Sequence, residues 1–238
     1  MMMKQNHFSF LALAFLTLLA SCHKGVTLHP SRLTTEVKKE CAATMAGLYD
    51  TKLRVVSTIA GTERVVKIED GKRTEYFESQ DSTLQLKATV LDYDNGMKII
   101  LHGFPVSTLA AALPDSLGEL RTAIAAQPDQ ELTIDYQFEY DSNSDQLFLK
   151  FSPHQLSFVC QTSDGRQHYM RLSLRSESHT PPVGELKDRV FSIDLGAENI
   201  LFYLSAVTLY EDEQPLFTFD EWNNSDFFYA FVRFEGRS

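Results

Sequence analysis

The sequence predicts a mainly β domain of α+β type, an antiparallel meander forming a sandwich or an open barrel. An N-terminal helix and a short helical insertion near residues 106–127 complete the expected fold. Three observations carry this prediction. Apolar residues recur at every second position through most of the chain beyond residue 53. The turn dipeptides Asp70-Gly71, Asn95-Gly96 and Asp164-Gly165 stand between such runs. Helical spacing is confined to residues 33–45 and 106–127.

The plainest alternation is ELTIDYQFEYD, residues 131–141. Leu132, Ile134, Tyr136, Phe138 and Tyr140 share one parity, and Glu131, Thr133, Asp135, Gln137, Glu139 and Asp141 take the other. Successive side chains of a strand point to opposite faces, so this is a strand with one wet side, as antiparallel sheets allow. Leu84/Leu86/Ala88/Val90, Leu156/Phe158/Cys160 and Phe191/Ile193/Leu195 repeat the pattern. Asn-Gly and Asp-Gly suit the positive φ angles of tight hairpins. Roughly a dozen strands are expected, mostly joined as neighbours. Phe227 to Phe234 is apolar at both parities and predicts a strand buried on both faces.

Starting near Ser31, Leu33, Val37, Cys41 and Met45 recur every four residues up to Gly47, the stripe of an amphipathic helix. In the insertion, Val106, Leu109, Ala110 and Leu113 precede Leu117, Leu120 and Ile124. Pro114 divides two short helices there and Pro128 stops the second. No Gly/Ser-rich linker interrupts residues 31–238, which read as one β-rich domain.

The first residues carry an address. Phe8 to Ala20 is an apolar run preceded by the single charge of Lys4. As a helix it rises ~20 Å, short of the ~30 Å hydrocarbon core, so residues 1–21 read as a signal peptide. Leu19-Ala20-Ser21-Cys22 resembles the lipobox of bacterial lipoproteins. That resemblance implies cleavage before Cys22 and a diacylglyceryl group on its thiol. Two or more acyl chains hold a protein stably on a membrane. Residues 22–30 would be the lipidated cysteine and its tether, at most ~30 Å long when extended. Loss of the signal removes one lysine and no acid, taking the net charge from −10 to −11. Such an acidic chain lacks the basic face that nucleic-acid binding requires.

Assigning Cys22 to the lipid leaves Cys41 and Cys160, an even pair in a compartment that permits disulfides. They read either as a bridge tying the N-terminal helix to the sheet or as two separate buried thiols. DSNSDQL, residues 141–147, spaces Asp141, Asn143 and Asp145 like the start of a calcium loop. Gln146 stands where such a loop has Gly and Ser152 where it ends in Glu, so a hairpin turn is expected. His102, His154, His168 and His179 show no ligand spacing, and His168 is expected as a hydrogen-bonded sheet-edge histidine. No G-x-S-x-G, H-E-x-x-H, C-x-x-C, Walker A or G-x-G-x-x-G pattern occurs. No catalytic residue, metal or cofactor is expected.

The remaining candidate is Asp220-Glu221-Trp222-Asn223-Asn224, which holds the single Trp. An indole beside carboxylates and amides suits sugar recognition, the ring stacking on a pyranose while polar groups take hydroxyls. The competing interpretation is a Trp that plugs the end of the sheet.

The chain is similar to small lipoproteins of gut Bacteroidetes that share a domain of unknown function (DUF4840-like). The similarity rests on the lipobox at Cys22, on Ala46-Gly47-Leu48-Tyr49 after the helix, and on His102-Gly103-Phe104-Pro105 entering the insertion. It brings no activity and no catalytic residues. Many such proteins display an acidic export signal directly after the lipidated cysteine, whereas in this sequence no acid precedes Glu36. The periplasmic face of the outer membrane is therefore favoured over the cell surface. The expected function is that of an outer-membrane-anchored, non-catalytic lipoprotein binding a ligand, such as a saccharide, or an envelope partner protein. An envelope hydrolase acting on polysaccharide or another polymer, and a structural or assembly lipoprotein without a small ligand, stand as alternatives.

Overall fold

The computed structural model describes residues 26–27, 33–60, 65–69, 72–76, 79–177, 184–187, 190–193, 200–219 and 227–238. Cys22, His179, Leu195, the Asp70-Gly71 turn and the whole Asp220–Asn224 stretch lie outside the described residues.

Helix α1 (Thr35–Met45) starts where Thr34 caps it, the Thr34 Oγ1 accepting a hydrogen bond from the Val37 N–H at 3.4 Å. Its buried stripe is Val37, Cys41, Ala42 and Met45, and Leu33 packs on the same core. The helix thus begins a turn later than Ser31, at the residue whose side chain accepts from the helix N-terminus.

The strands are β1 (Val26–Thr27), β2 (Gly47–Thr58), β3 (Val65–Glu69), β4 (Lys72–Tyr76), β5 (Ser79–Val90), β6 (Lys98–Phe104), β7 (Gln130–Asp141) and β8 (Gln146–Pro153). They continue with β9 (Leu156–Gln161), β10 (Gln167–Glu177), β11 (Gly184–Lys187), β12 (Val190–Ile193), β13 (Leu201–Glu211), β14 (Gln214–Thr218) and β15 (Phe228–Arg237). One antiparallel sheet has the order β1-β12-β11-β8-β7-β6-β5-β2-β15-β13-β10-β9, with β14 joined to β13. A separate ribbon pairs β3 with β4.

The sheet is a curled half-barrel. Phe151 of β8 stacks on Phe202 of β13 with ring centroids 4.2 Å apart, although five strands separate them in the sheet order. Only a sheet rolled on its apolar side brings those rings together. The meander holds for β5 to β8, but β9 and β10 leave it for the far edge, and β15 inserts between β2 and β13. Alternation fixes which face a residue occupies and leaves open which strand lies beside it.

The insertion is two 3-10 segments, Val106–Ala112 and Asp115–Leu117, followed by helix α2 (Gly118–Ala125). It buries Val106, Leu109, Leu113 and Ile124 completely. Pro105 and Pro114 bracket the first segment too closely for a longer α-helix.

The bridge reading of the two cysteines is corrected in favour of the buried-thiol reading, and the tether expectation is corrected in part. Cys41 and Cys160 are both free and buried, so they do not form a bridge. Each serves as a small apolar filler on its own element, and burial pushes the Cys41 thiol up to about 12 and the Cys160 thiol up to about 11. Part of the expected tether also belongs to the sheet, because Val26 and Thr27 pair with Phe191 and Val190 of β12. DSNSDQL is a hairpin turn whose Asp141 oxygens accept from the Asn143 N–H at 2.9 Å and the Ser144 hydroxyl at 2.7 Å. Among the described residues, no helix is long and apolar enough to cross a membrane.

Candidate functional site

The site is built on the outer face of the central strands β13, β15 and β2. Phe228, Ala230, Val232 and Phe234 of β15 point into the core and are at most 1% exposed. Tyr229 is half-buried, while Phe231 is 37% exposed and Arg233 is exposed. The expected strand with both faces buried is therefore corrected to one with a buried face and an open aromatic face. Apolar residues at both parities looked like double burial because composition alone does not distinguish a core from a surface platform.

Register sets the platform. Tyr203 of β13 lies across from Phe231, which in turn lies across from Arg54 of β2. One row along, Leu201, Arg233 and Lys52 line up across the same three strands. On the other side stand Ser205, Tyr229 and Val56. Tyr203 and Phe231 have ring centroids 5.9 Å apart, and Tyr203 meets Tyr229 edge-on at 6.5 Å. Phe227 stacks on Tyr229 at 5.1 Å. Leu201, 41% exposed, extends the apolar surface. Ser205 beneath the rings is fully buried, and its Oγ has no hydrogen-bond partner among the described residues.

The polar rim is ordered. Arg54 grips Asp81 of β5 through Nε at 3.0 Å and Nη2 at 2.5 Å, which holds the Asp81 carboxyl below the usual carboxylate range. The candidates Asp220, Glu221, Trp222 and Asn223 fall outside the described residues. Their flanking residues are described: Phe219, which is buried, and Phe227, a member of the platform. Sequence reasoning missed Tyr203 and Phe231 as surface groups. The signal was present in Arg233, a charge at Phe231's parity that a doubly buried strand would not carry.

Two further places compete. An open groove of about 720 Å³ runs beside the insertion, lined by residues including Gln80, Ser107, Thr108, Asp115, Arg121 and Thr122. Its charges satisfy one another: Arg121 donates to the Ala110 carbonyl at 2.8 Å and pairs with the Asp115 carboxylate. The second place is a pair of hydroxyl–imidazole–carboxylate arrays. On the outer face, His102 Nδ1 lies 2.8 Å from Glu131 Oε1, and its Nε2 lies 2.8 Å from Thr89 Oγ1. At the end of β10, His168 Nδ1 lies 2.6 Å from Glu211 Oε1, and its Nε2 lies 3.1 Å from Thr162 Oγ1.

The two arrays differ in where the hydroxyl proton goes. Thr162 donates to Asp164 Oδ1 at 2.6 Å, a bond that leads the causes holding the Asp164 carboxyl below its ordinary range. His168, 7% exposed, is thus a structural clamp between the β9–β10 turn and β13. Thr89 has only His102 as a described hydroxyl partner. With the ring N–H given to Glu131, Nε2 can accept the Thr89 proton.

No curated protein and no solved structure matches the chain. The family model described as a domain of unknown function (DUF4840) matches residues 44–201, a span from the end of α1 to the first residue of β13. It takes in both short motifs at 46–49 and 102–105 and covers more than half the sequence, so this protein belongs to the DUF4840 family.

Proposed function

We propose that this chain is an outer-membrane lipoprotein, anchored through Cys22, whose β-rich domain binds a saccharide without catalysing a reaction. One observation carries the ligand: the half-exposed aromatic tier of Tyr203, Tyr229 and Phe231 on a sheet face, followed back along the chain through Phe227 to the Trp222 stretch. Aromatic rings offer flat apolar area to the C–H faces of a sugar, and they lose little conformational entropy in doing so. Residues 220–223 supply carboxylate and amide groups next in sequence to that tier, the chemistry that takes hydroxyls. The lipobox supports the envelope location, and the absence of acid before Glu36 favours the periplasmic side.

The test is an oligosaccharide panel screened by calorimetry on the mature chain, followed by two variants. Trp222→Ala should abolish binding at an unchanged melting temperature, and Phe231→Ala should weaken it about tenfold, the share of one aromatic contact. If no saccharide binds and Trp222→Ala melts much earlier, the indole is a plug and the proposal fails.

A second reading, an envelope hydrolase, draws on the Thr89–His102–Glu131 array, which has the order of a nucleophile, base and orienting acid. The array sits on an open sheet face with Glu131 largely exposed, which gives no shielding from water. Release of p-nitrophenol from p-nitrophenyl acetate that disappears in His102→Ala would favour this reading; equal rates in both proteins would reject it.

A further inference from the structure

Building on the saccharide proposal, we infer that the ligand is an acidic saccharide, carrying carboxylate or sulfate groups, and that Lys52 and Arg233 select it. The two residues are direct cross-strand partners in the β15–β2 ladder, both exposed on the platform side. Like charges placed opposite each other destabilise an antiparallel pair, with Cβ atoms only ~5 Å apart. Neither residue has an ion-pair partner among the described residues, although the whole chain carries an excess of acid, −10 overall. Their neighbours do not relieve them. Arg54 is committed to Asp81, Lys87 to Asp50, and Glu235 sits where the β15–β2 register shifts.

The pair adjoins the rings directly. Arg233 is flanked across β13 by Leu201 and follows Phe231 on the same face of β15, while Lys52 precedes Arg54 on β2. An aromatic patch edged by two uncompensated cations matches a sugar ring bearing an anionic substituent. The ring would cover Phe231 and Tyr203, and the anion would bridge the ammonium and guanidinium, which relieves their mutual repulsion on binding.

The test compares matched probes by calorimetry on the mature chain: a galacturonate hexamer, a heparin-derived hexasaccharide, and a neutral galactose hexamer. At least one acidic probe should bind about tenfold or more tighter than the neutral one, and the preference should shrink as salt rises from about 50 to about 500 mM. Lys52→Gln and Arg233→Gln should each cost about tenfold on the acidic probe, the worth of one charge-assisted hydrogen bond, and leave the neutral probe unchanged. Equal binding of all three probes, weakened in Phe231→Ala but intact in both charge variants, overturns this inference and leaves the saccharide proposal standing. Binding of none of them, with capture only by vesicles rich in anionic phospholipid, overturns both.

Discussion

Both faces of β15 carry aromatic residues, and the two are built for different work. Inward, Phe228, Ala230, Val232 and Phe234 are sealed, and Phe234 meets Tyr49 edge-on with centroids 5.2 Å apart. That Tyr49 in turn donates to the Met45 carbonyl at 2.6 Å and accepts from Arg237 Nε at 2.9 Å, so the inner face ties α1, β2 and the last strand together. Outward, the ring contacts of Tyr229 and Phe231 among the described residues include each other, Phe227 and Tyr203, and both remain partly exposed. Burying an aromatic side chain contributes fold stability; leaving it half-exposed preserves its face for something else. The contrast teaches that an aromatic residue on this strand says little about role until the curl of the sheet decides which side closes.

The sharpest way to break that contrast is a pair of truncations. Phe234→Ala should cost about 3–5 kcal/mol by chemical denaturation, because its site is closed and leaves a cavity. Phe231→Ala should cost about 1 kcal/mol, since it loses one or two ring contacts and no sealed volume. Equal losses would mean that the outer tier is a second core.

A smaller difference separates the two histidine arrays. His168→Ala should cost about 1–3 kcal/mol, because it strands Glu211 in a half-buried position and unties the β9–β10 turn from β13. His102→Ala, at a more exposed pair with Glu131, should cost well under about 1 kcal/mol. Urea denaturation of both variants checks the ranking, and a reversal would make His102 the structural clamp.

The smallest expected effect is on pH. Asp50, Asp81, Asp141 and Asp164 are all held below the ordinary carboxylate range, in each case chiefly by hydrogen bonds: to Lys87, to Arg54, to the Asn143 N–H and to Thr162. Groups with lowered values in the folded state add stability above their unfolded value, near about 3.9 for Asp, and lose it as pH falls through the folded value. Melting temperature should thus drop on acidification below about pH 4, and Asp164→Asn should shallow that drop slightly. An unchanged melting temperature between about pH 5 and about pH 2.5 would show these surface bonds to be inert.

Much of this architecture was legible in the residues. ELTIDYQFEYD placed Leu132, Ile134, Tyr136 and Phe138 on the correct face, and all four are buried. Val106, Leu109, Leu113 and Ile124 marked the insertion, and Val37, Cys41 and Met45 marked α1. These succeed because burial repeats with the period of the element, and the period is written in the chain. The same logic failed at Phe227–Phe234, where outer aromatic residues imitate a core; at Cys41 and Cys160 it left a bridge and two buried thiols both open, and the structure decides for the thiols. Little of the candidate site was legible: Tyr203, Phe231, Lys52 and Arg233 come from three strands, two of them far from the third in sequence, and the Trp222 stretch lies outside the described residues.

The sequence by itself determined a mainly β fold with its two helical interruptions and the identity of most core residues, and it alone carries the proposed anchor at Cys22. Each of these depends on local composition or on a repeat of two or about four residues, which a linear chain displays. Tertiary structure alone decided that β15 slots between β2 and β13, that the two cysteines stay apart, and that Lys52 faces Arg233 beside an aromatic tier. Those outcomes depend on which strands become neighbours, and strand pairing is settled by the closure of the whole sheet around one core.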